Sequence, residues 1–417
     1  MKDWDFSPPP DSTLGDHAVR PAGHHLAGRR VALMISGGIA AIKAPFIARA
    51  LRKQGAKVVA YCSKEGLRYT TEDAMEWSTA HPVVTRLSPA AEHLNDAERF
   101  DGFLVAPATY NTINKVALGI ADGVLTATLA AGLGRMVRGD TKVLIAPTMH
   151  GDMHTPILTQ SLQKLAAMGV RVIPPREDYG KHNIPDTETL VAEVCAELST
   201  SPLKGRRILV TGGPTPVPID NVRLITNRFT GQLGTAIADE LTLRGANVHF
   251  VLGHTGLVPP DYIECTRARN FDEYRDAVVA ALEQGDYVAG IFSAAVADYK
   301  PREVALGKIP SGGALQSIEL VPTEKVIDLV RERYPDVPMV SFKYQENVEH
   351  EQLMRIARSR VEQGHLAVVA NRGEEVGPKG EQIAHIVSAG AETERFVDKP
   401  EIARGIADFL ERKLSSG

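Results

Sequence analysis

One architectural opening is written twice in this chain. It first runs Arg30-Val-Ala-Leu-Met-Ile-Ser-Gly-Gly38, then an amphipathic run to Gly55, then Val58-Val-Ala-Tyr-Cys62. It returns as Arg207-Ile-Leu-Val-Thr-Gly-Gly213, an interruption, a run from Gly234 to Gly245, and Val248-His-Phe-Val-Leu252. Each copy is a short apolar strand, a glycine turn, a helix and a second strand. Strands without polar alternation are buried on both faces, as in parallel sheets covered by helices. Right-handed crossovers make each copy the core of a doubly wound layer. The expected fold class is α/β, with two doubly wound, Rossmann-like three-layer domains.

Further strands are expected at Gly102-Phe-Leu-Val-Ala106, Lys142-Val-Leu-Ile-Ala146, Val170-Arg-Val-Ile173, Tyr287-Val-Ala-Gly-Ile-Phe292, Val337-Pro-Met-Val-Ser-Phe342 and Leu366-Ala-Val-Val-Ala370. A helix over 187–198 runs into Ser199-Thr-Ser-Pro-Leu-Lys-Gly205, a polar segment that suits a domain boundary. The expected division is a disordered tail over 1–28, one domain over 29–200 and a second over 205–417. A chain of 417 residues can fill two such cores. The tail is rich in Pro, Asp, Gly and His, including His24 and His25, and lacks the apolar core of a signal peptide.

A net charge of -4 gives no reason to expect nucleic acid or an anionic membrane as partner. No apolar stretch reaches the roughly 20 residues of a membrane helix. Cys62, Cys195 and Cys265 stand far apart and out of metal-ligand spacing. A cytoplasmic, reducing setting and no protein-bound metal are therefore expected.

Ligands of such sheets bind at the carboxyl ends of strands, near a topological switch point. In the first half Ser36-Gly37-Gly38 opens a helix whose bare N–H groups suit a phosphate, although a Gly-Gly turn also serves plain packing. The three spaced glycines of a dinucleotide turn are absent, which argues against an NAD-type oxidoreductase. Ala106-Pro107-Ala108-Thr109-Tyr110-Asn111-Thr112 follows another strand, and a third ends in Ala146-Pro147-Thr148-Met149-His150-Gly151-Asp152-Met153.

With these segments, residues 29–190 resemble the flavin-containing cysteine decarboxylases, a flavodoxin-like flavoprotein family. The resemblance implies that Ser36, Gly37, Gly38, Ser63, Pro107, Ala108, Thr109 and Asn111 line an FMN, with Ser36 near its phosphate. It also implies that His93, in Glu92-His93-Leu94-Asn95, is the catalytic base; a lone histidine there would otherwise read as a surface residue. Oxidation of the substrate's carbon–sulfur unit would create an electron sink that lets carbon dioxide leave.

Two departures from the family matter. The asparagine that holds the substrate carboxylate is His150 here, which still offers a hydrogen-bond donor. The family's flap cysteine is missing from Arg176-Glu-Asp-Tyr-Gly-Lys-His-Asn-Ile-Pro185, where Tyr179, Lys181 and His182 carry protons instead. Cys195, in the next helix, reads as a small core residue. Two readings follow: a working decarboxylase, or a catalytically degenerate FMN-binding scaffold fused to a ligase.

In the second half Thr211-Gly212-Gly213-Pro214-Thr215 follows a strand, and Asp220-Asn-Val-Arg223-Leu-Ile-Thr-Asn227-Arg-Phe-Thr230-Gly231-Gln-Leu-Gly234 leads into a helix. Ser293-Ala294-Ala295-Val296-Ala297-Asp298-Tyr299, Lys308-Ile309, Ser341-Phe342-Lys343 and Val369-Ala370-Asn371 come next. In that order the segments resemble phosphopantothenate–cysteine ligases over about residues 205–412.

The resemblance implies coenzyme A biosynthesis: a nucleoside triphosphate, CTP or ATP with Mg2+, activates the 4'-phosphopantothenate carboxylate, and the cysteine amine attacks the acyl-nucleotide. Asn227 would hold the carboxylate and the acyl intermediate, and Lys308 would neutralise phosphate charge. Gly212, Thr230, Gly231, Gly234, Ala294, Ala295, Asp298, Phe342 and Asn371 would border substrate and nucleotide. Phe229 departs from the family's serine, and Arg355, Arg358 and Arg360 stand where bacterial members carry lysines. By the same resemblance the partners are small-molecule substrates and further copies of the chain, with flavin domains in trimers, ligase domains in dimers, and dodecamers as the larger assembly.

Overall fold

A computed structural model describes residues 5–94, 99–312 and 317–415. Asn95 and Gly313 lie outside the described residues. The chain divides into two compact units, Met1–Ser199 and Thr200–Gly417.

The first unit begins with β1 (Arg30–Ile35), a 3₁₀ turn (Ile39–Lys43), α1 (Ala44–Lys53), β2 (Lys57–Cys62), α2 (Glu72–Thr79) and β3 (Gly102–Ala108). It continues with α3 (Tyr110–Ala117), α4 (Val124–Val137), β4 (Lys142–Pro147), β5 (Met149–His150), α5 (Pro156–Ala167), β6 (Arg171–Val172), β7 (Arg176–Asp178), β8 (Lys181–Asn183) and α6 (Thr187–Leu198). Its main sheet is parallel in the order β2-β1-β3-β4-β6, the flavodoxin-like order. Alternate residues point to opposite faces of a strand. Ala32, Met34, Phe103 and Val105 pack against Ile113 of α3, Leu125 and Leu129 of α4, and Leu158 of α5. Val31 and Leu33 are also fully buried, beneath the face that carries α1 and α6.

The second unit runs β9 (Arg207–Gly212), β10 (Val217–Pro218), β11 (Leu224–Ile225), α7 (Gln232–Leu243), β12 (Asn247–Leu252), β13 (Glu264–Arg267), α8 (Phe271–Glu283) and β14 (Tyr287–Phe292). There follow β15 (Tyr299–Pro301), β16 (Leu320–Pro322), α9 (Val326–Arg333), β17 (Met339–Gln345), α10 (His350–Glu362), β18 (Ala367–Arg372), β19 (Ile383–Ser388), β20 (Glu394–Val397) and α11 (Lys399–Ser415). The sheet order is β13-β12-β9-β14-β17-β18-β19-β20, a Rossmann order extended by the antiparallel pair β19 and β20. Ile208 and Val210 pack with Ile237 of α7 and Ile406 of α11, whereas Leu209 packs with Tyr274 of α8 and Val330 of α9. Two faces, two helical layers: both units are three-layer α/β folds, as the repeated opening predicts. Gly55 and Gly245 follow α1 and α7 at φ +93° and +87°, the left-handed geometry that ends a helix cheaply only at glycine.

One expectation is corrected. The tail is packed from about Asp16 onward, because it covers the C-terminal end of α1. Lys53 O accepts the N–H groups of Ala22 and Gly23 at 2.8 and 3.2 Å, Arg52 donates to His17 O at 2.8 Å, and Leu26 is fully buried. The chain divides between Ser199 and Thr200, within the expected polar segment, and the second unit begins before residue 205, since Leu203 is fully buried in its core. Among the described residues no helix is long and apolar enough to cross a membrane.

Leu26→Ala should therefore destabilise the first unit by about 2–5 kcal/mol in chemical denaturation, as buried leucines do. A dispensable tail would leave the midpoint unchanged.

Candidate active sites

In the first unit β1 and β3 are neighbours whose following helices, α1 and α3, cover opposite faces of the sheet. Their carboxyl ends flank the switch-point crevice. Ser36 ties the two ends together: its hydroxyl donates to Pro107 O at 2.6 Å and accepts the Thr109 N–H at 3.1 Å. Being fully enclosed and doubly engaged, Ser36 is a clip for the crevice more than a free donor in it. Ser63 does the same from β2, donating to Ile35 O at 3.3 Å and accepting the Gly66 N–H at 3.0 Å. Gly37 is a packing position, because a Cβ there would meet Glu65 Cβ at 2.3 Å. Gly38 faces Thr109, with 3.3 Å between an added Cβ and Thr109 Cγ2.

What remains for a ligand are the bare first N–H groups of the 3₁₀ turn and of α3 and the exposed Asn111 amide, whereas the Thr109 hydroxyl lies 3.2 Å from both Ser36 Oγ and Thr112 Oγ1. Pro107 and Ala108 form the buried floor. That donor set suits a phosphate-bearing planar group.

His93 sits on a separate loop. Ser88 holds Glu92 there, through its N–H at 2.9 Å and its hydroxyl, which keeps the Glu92 carboxyl below the usual range. Tyr61 donates to Glu92 O at 3.3 Å. His93 is half-buried, and its Nδ1 is enclosed with no hydrogen-bond partner among the described residues. Buried imidazole nitrogens are normally satisfied, so one without a partner marks a place where something else binds.

The cysteine-less flap forms a hairpin, β7–β8, which pairs with β5 so that His150 faces Lys181 and Met149 faces His182. His150 is exposed and its Nδ1 accepts the Asp152 N–H at 3.2 Å. The hairpin also brings His182 Nε2 within 2.8 Å of His154 Nδ1, a pair the sequence did not disclose. His154 Nε2 lies 3.2 Å from Thr159 Oγ1, while His182 Nδ1 has no hydrogen-bond partner among the described residues. Tyr179 is 90% exposed. Cys195 is buried in α6, and burial pushes the Cys62 thiol up to about 12.

In the second unit the switch point lies between β9 and β14. Ser293 donates to Thr211 O at 2.5 Å, the Thr211 hydroxyl receives Tyr274 OH and the Ala294 N–H at 3.1 and 3.3 Å, and the Ala295 N–H reaches Gly213 O at 2.9 Å. Asn227 crosses into the same crevice, its Nδ2 donating to Ala295 O at 2.9 Å and Val296 O at 3.3 Å. The glycines make this closeness possible. A Cβ on Gly234 would lie 2.9 Å from Gly212 Cα, and one on Gly231, at φ +82°, would lie 3.1 Å from Gly213 Cα. At Gly253, missed in the sequence, an added Cβ would meet Pro214 O at 2.2 Å.

Charge gathers beyond β14. Asp298 is paired with Lys325, and Arg360 donates to Phe342 O at 3.0 Å. Burial first, then Arg360, lowers the Lys343 ammonium below the usual lysine value. Phe342 is half-buried on β17, Asn371 is buried on β18 opposite Tyr344, and Phe229 meets the Tyr344 ring edge-on at 5.4 Å. Lys308 is exposed on a loop that Asp220 pins from afar: its carboxylate accepts the Ile309 N–H at 3.0 Å and those of Val222 and Arg223 at 2.7 Å, and pairs with the Arg223 guanidinium.

Those bonds, Ile309's foremost, hold Asp220 far below the usual carboxylate range. A depressed carboxylate stabilises the fold above its unfolded value and loses that effect as pH falls through the folded one, so the clamp is intact at neutral pH. Lys308, Thr230 and Asn371 make no side-chain hydrogen bond to the Asn227 group among the described residues.

The first unit matches the Flavoprotein family over residues 19–199, and the second matches the DNA/pantothenate metabolism flavoprotein C-terminal domain over 203–414. The chain is 34% identical over 396 residues to the coenzyme A biosynthesis bifunctional protein CoaBC of Thermococcus kodakarensis, covering 93% of this chain and 96% of that protein. It is 31% identical over 363 residues to the protein of the same name from Bacillus subtilis, covering 83% and 86%. Among solved structures it is similar to the C-terminal domain of a bifunctional CoaBC protein, with 28% identity and TM-score 0.44 over 52% of this chain and 100% of that one.

Because Gly234 abuts backbone, Gly234→Ala should destabilise the second unit by about 1–3 kcal/mol in equilibrium denaturation. An unchanged midpoint would mean that the contact between α7 and β9 is looser than described.

Proposed function

This chain belongs to the family of bifunctional coenzyme A biosynthesis proteins, and on that premise we propose how its two units divide the work. The chain is an enzyme with phosphopantothenate–cysteine ligase and phosphopantothenoylcysteine decarboxylase activities. We assign ligation to the second unit and decarboxylation to the first.

For ligation, the reading rests on Asn227 lying against Ala295 at the β9–β14 crevice. Its amide is positioned there by two carbonyls, leaving its oxygen to orient the activated acyl group of 4'-phosphopantothenate. Lys325, Lys343 and Lys308 supply positive charge where triphosphate charge must be neutralised, with Mg2+ as the accompanying ion. The base, of CTP or ATP, would lie along Phe342 and Asn371. Asp220 acts at a distance, holding the Lys308 loop.

For decarboxylation, the observation that carries the reading is the enclosed, unpartnered His93 nitrogen. Bound in the β1–β3 crevice, FMN would supply the redox chemistry. The N–H groups after Gly38 and at the start of α3, with Asn111, would hold it. His93 would take a proton from the substrate and His150 would donate to its carboxylate. With no thiol on the hairpin, His182, oriented by His154, is the proton donor best fixed in place; Tyr179 projects into solvent. A purely structural first unit is the less favoured reading, since the likeness to bifunctional relatives spans both units.

We further propose a cytoplasmic homo-oligomer. The exposed apolar side chains of Ile39, Ile42 and Phe46 give the first unit a surface that self-association would cover.

His93→Asn should lower carbon dioxide release from phosphopantothenoylcysteine by about 100–10,000-fold while the protein keeps its flavin absorbance. Retained turnover removes His93 from the reaction. Lys325→Gln should lower pyrophosphate release, measured with both 4'-phosphopantothenate and cysteine present, by about 100–1,000-fold. A wild-type rate contradicts its place at the triphosphate.

A further inference from the structure

One cluster is used by neither reaction. His350 opens α10, Glu375 lies in the loop after β18, and His385 stands on β19 opposite Ala370. His350 Nδ1 is 2.8 Å from Glu375 Oε1, and His385 Nε2 is 2.9 Å from Glu375 Oε2. The two imidazole rings meet edge to face at 4.8 Å, and the three ligating atoms all lie within 4.8 Å of one another. Bonds of about 2.0–2.1 Å to a tetrahedral metal place donors about 3.3 Å apart, within the spread these atoms show.

We propose that His350, Glu375 and His385 form a binding site for a transition-metal dication of the zinc class, which ties the start of α10 to the loop after β18. Two imidazoles and one carboxylate select such an ion over Mg2+ or Ca2+, which prefer all-oxygen shells. Side-chain exposure grades from 9% at His385 through 21% at Glu375 to 45% at His350. Three ligands thus close one side, and solvent can complete the fourth position.

Without an ion, each ring must donate its N–H to the carboxylate; an incoming dication takes that nitrogen, and each neutral ring keeps its one proton by shifting it through solvent to the other ring nitrogen. Two cations face the cluster: the Arg372 Nε, 3.8 Å from Glu375 Oε1, and Arg395, opposite His385 in the sheet. Glu374 offsets the first, 3.7 Å from Arg372 Nε, while accepting the Asn347 N–H at 2.6 Å. The loop is therefore joined to the approach to α10 by a second contact, and the ion would brace the strand end that carries Asn371. The inference does not depend on what occupies the ligase crevice.

The test is titration of full-length protein, stripped with chelator, with Zn2+ in excess Mg2+, followed by calorimetry, thermal melting and the visible spectrum of the Co2+ form. The expected result is one tightly bound ion per chain, a rise in Tm, and a four-coordinate Co2+ spectrum. His385→Ala and Glu375→Gln should weaken binding more than about tenfold, and His154→Ala, which removes the other histidine pair, should leave it unchanged. Absence of stoichiometric uptake, displacement by Mg2+, or undiminished binding in Glu375→Gln would overturn the site. If His385→Ala does not fold, Glu375→Gln and His350→Gln, checked by circular dichroism, decide between the same two outcomes.

Discussion

Two neighbouring parallel strands whose helices leave in opposite directions must be joined at their carboxyl ends without filling the space between them. Both units meet that constraint with backbone and one small hydroxyl. In the first, Ser36 satisfies Pro107 O and the Thr109 N–H at once. In the second, Ser293 reaches Thr211 O, Ala295 reaches Gly213 O, and Gly212 lies against Gly234 with no side chain between them. Each crevice is closed at its floor and lined at its rim by unsatisfied helix-start amides. An anionic ligand is the natural complement of that rim.

This explains why residues expected to touch ligand divide into two groups. Ser36, Ser63, Gly37, Gly212 and Gly234 shape the crevices, since their atoms are spent on protein neighbours. Asn111, Lys308 and the free face of Asn227 remain available, whereas Thr109 is spent on Ser36 and Thr112. Asp220 and Ser88 belong to neither group: each holds a loop that carries a candidate reacting residue.

The layers and the parallel strands were legible from the sequence because buried parallel strands are uninterrupted apolar runs, and Gly55 and Gly245 mark where helices must stop. The crevice glycines were legible for the same local reason. What stayed hidden were pairs made only by tertiary contact. Lys325 meets Asp298 across 27 positions and His182 meets His154 across 28, with no local period to announce them. The tail misled because its Pro- and Asp-rich composition says nothing of the single buried Leu26, or of carbonyls at the end of α1 that need donors.

Taken together, the two crevices make consecutive reactions on one chain the economical account, with the cysteine carboxylate first carried into an amide product and then lost. Supplying purified protein with 4'-phosphopantothenate, a nucleoside triphosphate and cysteine labelled at its carboxyl carbon tests this directly. The account predicts pyrophosphate together with labelled carbon dioxide. Pyrophosphate with every label retained in phosphopantothenoylcysteine would contradict it, leaving a ligase beside an inert flavin fold.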